Sequence, residues 1–311
     1  MSTGGTAGST GGTLALATFN THLGVDGWGR PYDVVAACRS LDADVLVLQE
    51  SWAPDGAPSL ARRVADVLGY ELAEEVLGHG RLLDPDPGAD DHWGPPLGLL
   101  SGILHVDDDP RWRQRRSGVR RSGGRHGSWG VALLVRVPCR FLGVTRLTPL
   151  RRDPVGRAVL SCEVPTGDGT LTVHGTHFSH LLHGSPFHYR EVARALAHSG
   201  QPAVLAGDMN LWGPAVSLLL PGWHRVVHGR TWPAPRPHSQ LDHVLVTGPV
   251  TGSGCVLGPV GSDHRPVRAV LAVGGPQPGT GAAGPAGAAA DRAPGDRRAH
   301  PTDRAEQEPQ R

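Results

Sequence analysis

The stretch 202–210, Pro-Ala-Val-Leu-Ala-Gly-Asp-Met-Asn, decides how the rest of this 311-residue chain is read. Residues 203–206 form a short apolar run of the kind that fills a buried strand. The run stops at Gly207 and is followed by Asp208 and Asn210, two polar side chains at the strand's carboxyl end. One such residue alone is ordinarily a turn former or a helix cap. Here the pattern recurs. FNTH (19–22) follows LALAT, LQES (48–51) follows DADVLV, GTHFSH (175–180) follows LTVH, and SDHRPV (262–267) precedes the last apolar run. A sixth signature, QLDHVLV (240–246), opens a strand. Polar groups gathered at the strand ends of one sheet domain point into a common cleft. Asn20, Glu50, His177, Asp208, Asn210, Asp242, Asp263 and His264 are therefore expected to converge.

Working outward, short Val- and Leu-rich runs at 14–19, 44–48, 131–135, 158–164, 171–173, 203–206, 243–246 and 267–273 read as strands. Helical spacing marks 31–41, 58–69 and 187–198, and Pro58-Ser59 and Gly69 supply a start and a stop for the second. No internal repeat is visible, so the alternation predicts one α/β domain over 13–273. Residues 1–12 and 274–311 are rich in Gly, Pro, Ala and charge, with almost no large apolar side chains. They are expected to be disordered tails. Residues 78–128 contain LDPDPGADD, DDDP and RWRQRRSGVRRSGGRHG and read as an insertion loop.

Composition narrows the function classes. A hydrophobic content of 39% supports a real core, and a net charge of +1 gives no global pull toward nucleic acid or membrane. Every one of the 30 basic residues is arginine, a bias that makes arginine clusters weak signals. The run 111–125 holds seven arginines and Trp112. It would read as a nucleic-acid groove but for the acidic runs at 84–91 and 107–109, which can neutralise it. Cys38, Cys139, Cys162 and Cys255 are far apart with no CxxC pair, against a zinc knuckle or a disulfide framework. The first residues show no export signal, and no stretch reaches the length of a membrane span. A cytoplasmic protein, monomeric and without a transmembrane segment, is expected.

Carboxylates and amides with few sulfur ligands suit a hard cation, Mg²⁺ with Mn²⁺ as the alternative, and a phosphate-ester substrate. The ordered set of Asn20, Gln49-Glu50, Thr176-His177, Gly207-Asp208-Met209-Asn210, Asp242 and Ser262-Asp263-His264 resembles the endonuclease/exonuclease/phosphatase superfamily. That superfamily contains deoxyribonuclease-like, abasic-site endonuclease-like and sphingomyelinase-like metal-dependent phosphoesterases. The resemblance implies a four-layer α/β sandwich, two packed mixed β-sheets flanked by helices, with the site at one rim. It implies that Glu50 binds the metal, with Asn20 and Asp263 supporting it. It also implies that Asp208 orients the attacking water, that Asn210 and His177 donate to phosphoryl oxygens, and that Asp242 fixes the tautomer of His264. Whether His264 is a base or a charged clamp is left open.

The expected activity is metal-dependent hydrolysis of a phosphate ester, with a phosphodiesterase or nuclease as the first reading and the substrate open among nucleic acid, a phospholipid head group and a small phosphodiester or phosphomonoester. A catalytically silent binding module on the same fold is the rival. His174, His177, His180 and His183 recur every third residue. On a strand, His174 and His177 face opposite ways, so a zinc face is not expected. His180 is a candidate substrate contact, and His174 and His183 are read as structural or solvated. Arg157 reads either as a phosphate clamp or as an exposed strand-start residue, Arg190 as a surface residue, and Trp212 as lining the cleft or the core.

Overall fold

The computed structural model describes residues 12–84, 104–106 and 124–274, apart from 154, 168 and 198–201. The proposed tails and the arginine run up to residue 123 lie outside the described residues, save their border positions 12 and 274. The elements run β1 (Thr13–Asn20), α1 (Val34–Ser40), β2 (Val45–Pro54), α2 (Leu60–Leu68), β3 (Glu71–Leu82), β4 (Leu104–Val106), β5 (Arg125–Val135), β6 (Arg140–Arg146), β7 (Ala158–Thr166), β8 (Gly169–His177), α3 (Ser185–Leu196), β9 (Ala203–Asp208), α4 (Gly213–Leu219), β10 (His224–Arg225), β11 (Asp242–Thr247), β12 (Val250–Val256) and β13 (Val267–Val273).

Two mixed sheets result. One has the order β12-β13-β1-β2-β5-β3-β4, the other β10-β11-β9-β8-β7-β6. Each contains one parallel pair, β1 with β2 and β8 with β9. The cores explain the layering. Alternate residues of β1, β2 and β5, such as Leu16, Val47 and Leu133, pack with Leu160, Val173, Val204 and Val244 of the second sheet. Their intervening neighbours Ala17, Leu46 and Leu134 pack with Val34, Ala37, Val64 and Ala65 of α1 and α2. Tyr189 and Val192 of α3 and Val216 of α4 cover Leu205 and Leu245 on the outer face of the second sheet. A strand apolar on both sides is the pattern of a sheet buried on both faces. The chain is thus a four-layer α/β sandwich.

Local signals acted where they were legible. Ser59 Oγ accepts from Arg62 N at 2.9 Å to cap α2, and Gly69 closes it in the left-handed conformation at φ +75°. The structure differs at 78–128, where residues 78–82 belong to β3, 104–106 form β4 and 125–128 belong to β5. The sequence hid these because β3, ELAEEVLGHGRL, mixes charge into its exposed face and lies near the sheet edge.

Gly207 is where the deciding stretch meets its neighbour strand. Its φ is +155°, and a Cβ there would stand 2.0 Å from the Thr176 carbonyl oxygen of β8. Gly207→Ala must therefore push β9 off β8. It is expected to lower the thermal midpoint by roughly 5–10 °C. An unchanged midpoint would show that the strands have room to part.

Candidate active site

Register builds the site. His177 lies opposite Asp208 in the parallel β8–β9 pair, and Asp242 lies opposite Asp208 in the antiparallel β9–β11 pair. Residues in register on neighbouring strands share a face. His177, Asp208 and Asp242 therefore stand in a row across the second sheet. The first sheet answers with Asn20 at the end of β1 and Glu50 beside it in β2. Asp263 and His264 arrive on the turn before β13. All of these are buried except Asp263 and Asn210, which are partly buried.

Direct contacts join them. Asn20 Nδ2 donates to Asp208 Oδ2 at 3.0 Å, and its Oδ1 accepts from His22 N at 2.9 Å. Asp208 Oδ1 accepts from Asn210 N at 2.9 Å. Asn210 Nδ2 donates to Phe178 O at 3.0 Å and lies 3.3 Å from His177 Nε2. His264 Nδ1 is 2.8 Å from Asp242 Oδ2, while its Nε2 is 3.8 Å from Asp208 Oδ2. His177 Nε2 is 3.7 Å from the same oxygen. These contacts bring Asn20, His177, Asp208, Asn210, Asp242 and His264 together. Asn210 would have to exchange one of its two amide contacts to reach a phosphoryl oxygen.

Electrostatics divide the groups. Burial pushes the Asp208 carboxyl up, to about 7, and the nearby Asp242 adds to this. Burial opposes charge on His264, but Asp242, Asp263 and Asp208 together hold its pKa well above the usual histidine range. Burial, with Arg157 and His264, drives His177 well below that range, so it is neutral. Burial raises the Glu50 carboxyl, His22 and His264 offset part of that, and Asp263 adds to the rise. Burial would raise Asp263 too, but His22, His264, Trp232 and Ser262 outweigh it and hold it below the usual value.

Two groupings could attract a cation. Asp208, Asp242 and His264 offer ligand atoms within 4.8 Å of one another. However, an imidazolium has no free lone pair, so a charged His264 cannot ligate. Glu50 fits better: Oε2 is buried with no hydrogen-bond partner among the described residues, beside the ionised Asp263. A buried carboxylate oxygen left in that state is stabilised by a cation. The donor set of Glu50, Asp263 and Asn20 is all oxygen, as a hard divalent ion requires.

Residues 17–264 match the sequence profile of the Endonuclease/Exonuclease/phosphatase family. The chain belongs to that family. It is accordingly a metal-dependent phosphoric ester hydrolase of the Endonuclease/Exonuclease/phosphatase type. No curated protein matches it closely enough to count as a relative by sequence. Solved structures share the fold at low identity. A humanized D. rerio TDP2 carrying 14 mutations superposes at TM-score 0.52 with 15% identity, covering 84% of this chain and 99% of that one. A family protein from Leptotrichia buccalis gives 0.54 with 12% identity, over 82% and 98%. The human Nocturnin catalytic domain with bound sulfate gives 0.53 with 10% identity, over 85% and 96%.

Several site neighbours escaped the sequence reading. His22, inside FNTH, has Nδ1 3.1 Å from Val25 O and 3.5 Å from Asp263 Oδ1. Trp232 Nε1 donates to Asp263 Oδ2 at 3.2 Å, and no sequence signal marked it. Arg157 is not the exposed strand-start residue of one reading. It is 8% exposed, pairs with Asp153 at 3.0 Å, and stands over the Trp129 ring beside His177. His180 is exposed, and its Nδ1 accepts from Leu182 N at 3.3 Å to cap a short turn. His174 and His177 do face opposite ways, the first packing on Trp223, the second on Trp129. Trp212 is 52% exposed, so it is no core residue, and Arg190 is exposed in α3.

Proposed function

We propose that the protein is a Mg²⁺-dependent phosphodiesterase or nuclease that hydrolyses its substrate by in-line attack of an activated water. The observation that carries this reading is His264, held by Asp242 on one nitrogen and turned by the other toward Asp208. Glu50, with Asp263 and Asn20 beside it, would hold Mg²⁺, or Mn²⁺ in its place, which would supply a Lewis acid to offset charge on the phosphoryl group. The chain's own residues do the rest. Asp208, with a pKa raised to about 7, accepts the proton of the attacking water near neutral pH. Asn20 and the Asn210 backbone hold its two oxygens in place. The charged His264 offers Nε2–H to an oxygen on which transition-state charge gathers. Asn210 and Trp129 orient the neutral His177 at the opposite side of Asp208.

A polyanionic substrate is favoured by the rim. No acidic residue occurs between Asp208 and Asp242, and Arg230, Arg236 and His238 are exposed on the segment that carries Trp232. Arginines on a segment without acidic neighbours in the sequence, beside a cleft, attract phosphate backbones. The catalytic unit proposed is 13–273, acting as a monomer, a reading supported by the fact that the site residues named above all come from one chain. None of the described helices is long and apolar enough to cross a membrane. The four cysteines are all free, Cys38 and Cys162 in the core, which supports a reducing, cytoplasmic setting.

A panel of plasmid DNA, abasic DNA and a chromogenic phosphodiester, with and without Mg²⁺, tests the reading. Metal-dependent cleavage is expected, and Glu50→Gln is expected to weaken both rate and metal dependence by roughly tenfold or more without unfolding the protein. Equal rate and metal response in the variant would show that Glu50 is not a ligand. No cleavage of any substrate at saturating metal would favour the silent binding module.

A further inference from the structure

Among the described residues, non-glycine residues with positive φ are His22, Leu23, Asp42, Glu50 and Asn210. His22 and Leu23 follow the end of β1, Asn210 follows the end of β9, and Glu50 lies at the irregularity inside β2, so all but Asp42 belong to the segments that build the site. Backbone of this kind persists only where its surroundings over-determine it. Glu50, at φ +53°, sits where the β2–β5 ladder shifts register between Leu48 and Ser51, so the ladder does not fix it.

Thr21 does. This fully buried residue donates its backbone N–H to Gln49 O at 2.9 Å. Its Oγ1 lies 2.9 Å from the same oxygen and 3.1 Å from Glu50 O, so one hydroxyl proton is shared between two successive carbonyls. The clamp is itself anchored, because Thr21 O accepts from Tyr32 Oη at 2.8 Å and from Gly24 N at 2.9 Å. Next to it, Ser262 Oγ donates to Asn20 O at 2.7 Å, tying the turn that carries Asp263 to the same point. We propose that Thr21 is the positioning residue that sets Glu50 for metal binding, by holding the carbonyls of the bulge with its hydroxyl. This rests on the reading of Glu50 as the metal ligand. Thr21→Val keeps the shape and removes the proton, which leaves Glu50 O without this donor and lets the bulge relax. Thr21→Ser keeps the proton.

The test is thermal unfolding of the full chain titrated with Mn²⁺ and with Mg²⁺, read as the metal concentration at half-maximal stabilisation. Wild type is expected to respond and Glu50→Gln to lose the response. Thr21→Val is expected to need roughly tenfold more metal, in the range of changes to groups that support a ligand. Thr21→Ser should stay within about twofold of wild type. Thr21→Val added to Glu50→Gln should change the metal response no further. Should Thr21→Val not fold, Thr21→Ala carries the same comparison. A lower metal-free midpoint with an unchanged metal requirement would mean that Thr21 is merely structural and would overturn the inference while leaving Glu50 as the ligand. A wild type without metal response, or a Glu50→Gln variant equal to it, would overturn both.

Discussion

Replacing His264 by Ala is expected to lower phosphoesterase turnover by at least roughly 10²-fold, the range of a positioned electrostatic or acid–base group. The size follows from the surroundings. His264 is buried, Asp242 accepts its Nδ1–H at 2.8 Å, and Asp242, Asp263 and Asp208 together hold it charged against the cost of burial. Its loss removes the one positive group that faces Asp208 at 3.8 Å and leaves a buried carboxylate at Asp242 without its partner. Asp242→Asn is expected to cost no more than His264→Ala, since an amide still accepts from Nδ1 but no longer supports the charge. The double variant should fall well short of the product of the two losses, because residues acting as one unit are non-additive. Steady-state kinetics of the two singles and the double decide. Fully multiplicative losses, or near-normal turnover in His264→Ala, would remove the pair from the mechanism and leave Asp208 to position the water alone.

Acid is expected to remove about 3 kcal/mol of stability through His174 alone between pH 6.5 and pH 4. Burial on the α3 side of the second sheet drives this imidazole down, to about 4. Nδ1 is bonded to Ser161 Oγ at 2.8 Å, and Nε2 is buried without a partner among the described residues, so an added proton would find no acceptor. In the unfolded chain the same group titrates near 6.5. Between these values the unfolded state binds more protons. The contribution is therefore fully present above about 6.5 and is lost as the pH falls toward 4. Asp208 works in the opposite direction, because its folded form takes up a proton first. The quantity to measure is accordingly the unfolding free energy of wild type minus that of His174→Asn, at pH 7 and at pH 4, in urea. The difference should shrink by about 3 kcal/mol, roughly a hundredfold in the folding equilibrium. A difference that stays flat would show that His174 does not titrate as a buried neutral group.

The sequence by itself determined the buried strands, the α/β class and the order of the polar signatures. These are carried by neighbours in the chain: a Val- and Leu-rich run such as 203–206 is apolar on both faces, and Gly207, Asp208 and Asn210 end it within four residues. Helix ends were legible for the same reason, as Ser59 and Gly69 act on backbone groups one turn away. Strands β6 and β12 were not, because RFLGVTR and VTGSGCV lie mostly exposed at the outer part of each sheet and lack an apolar period. Tertiary structure alone decided the chemical state of the site. The charge on His264 needs Asp242 and Asp208 from two other strands beside its chain neighbour Asp263, and the burial of Arg157 needs Asp153 and the Trp129 ring. The left-handed setting of Glu50 needs a hydroxyl at Thr21 from the neighbouring strand's end. Propensity and periodicity act over a few residues, whereas desolvation and charge pairing act across space, and only the packed sheets bring those groups within reach.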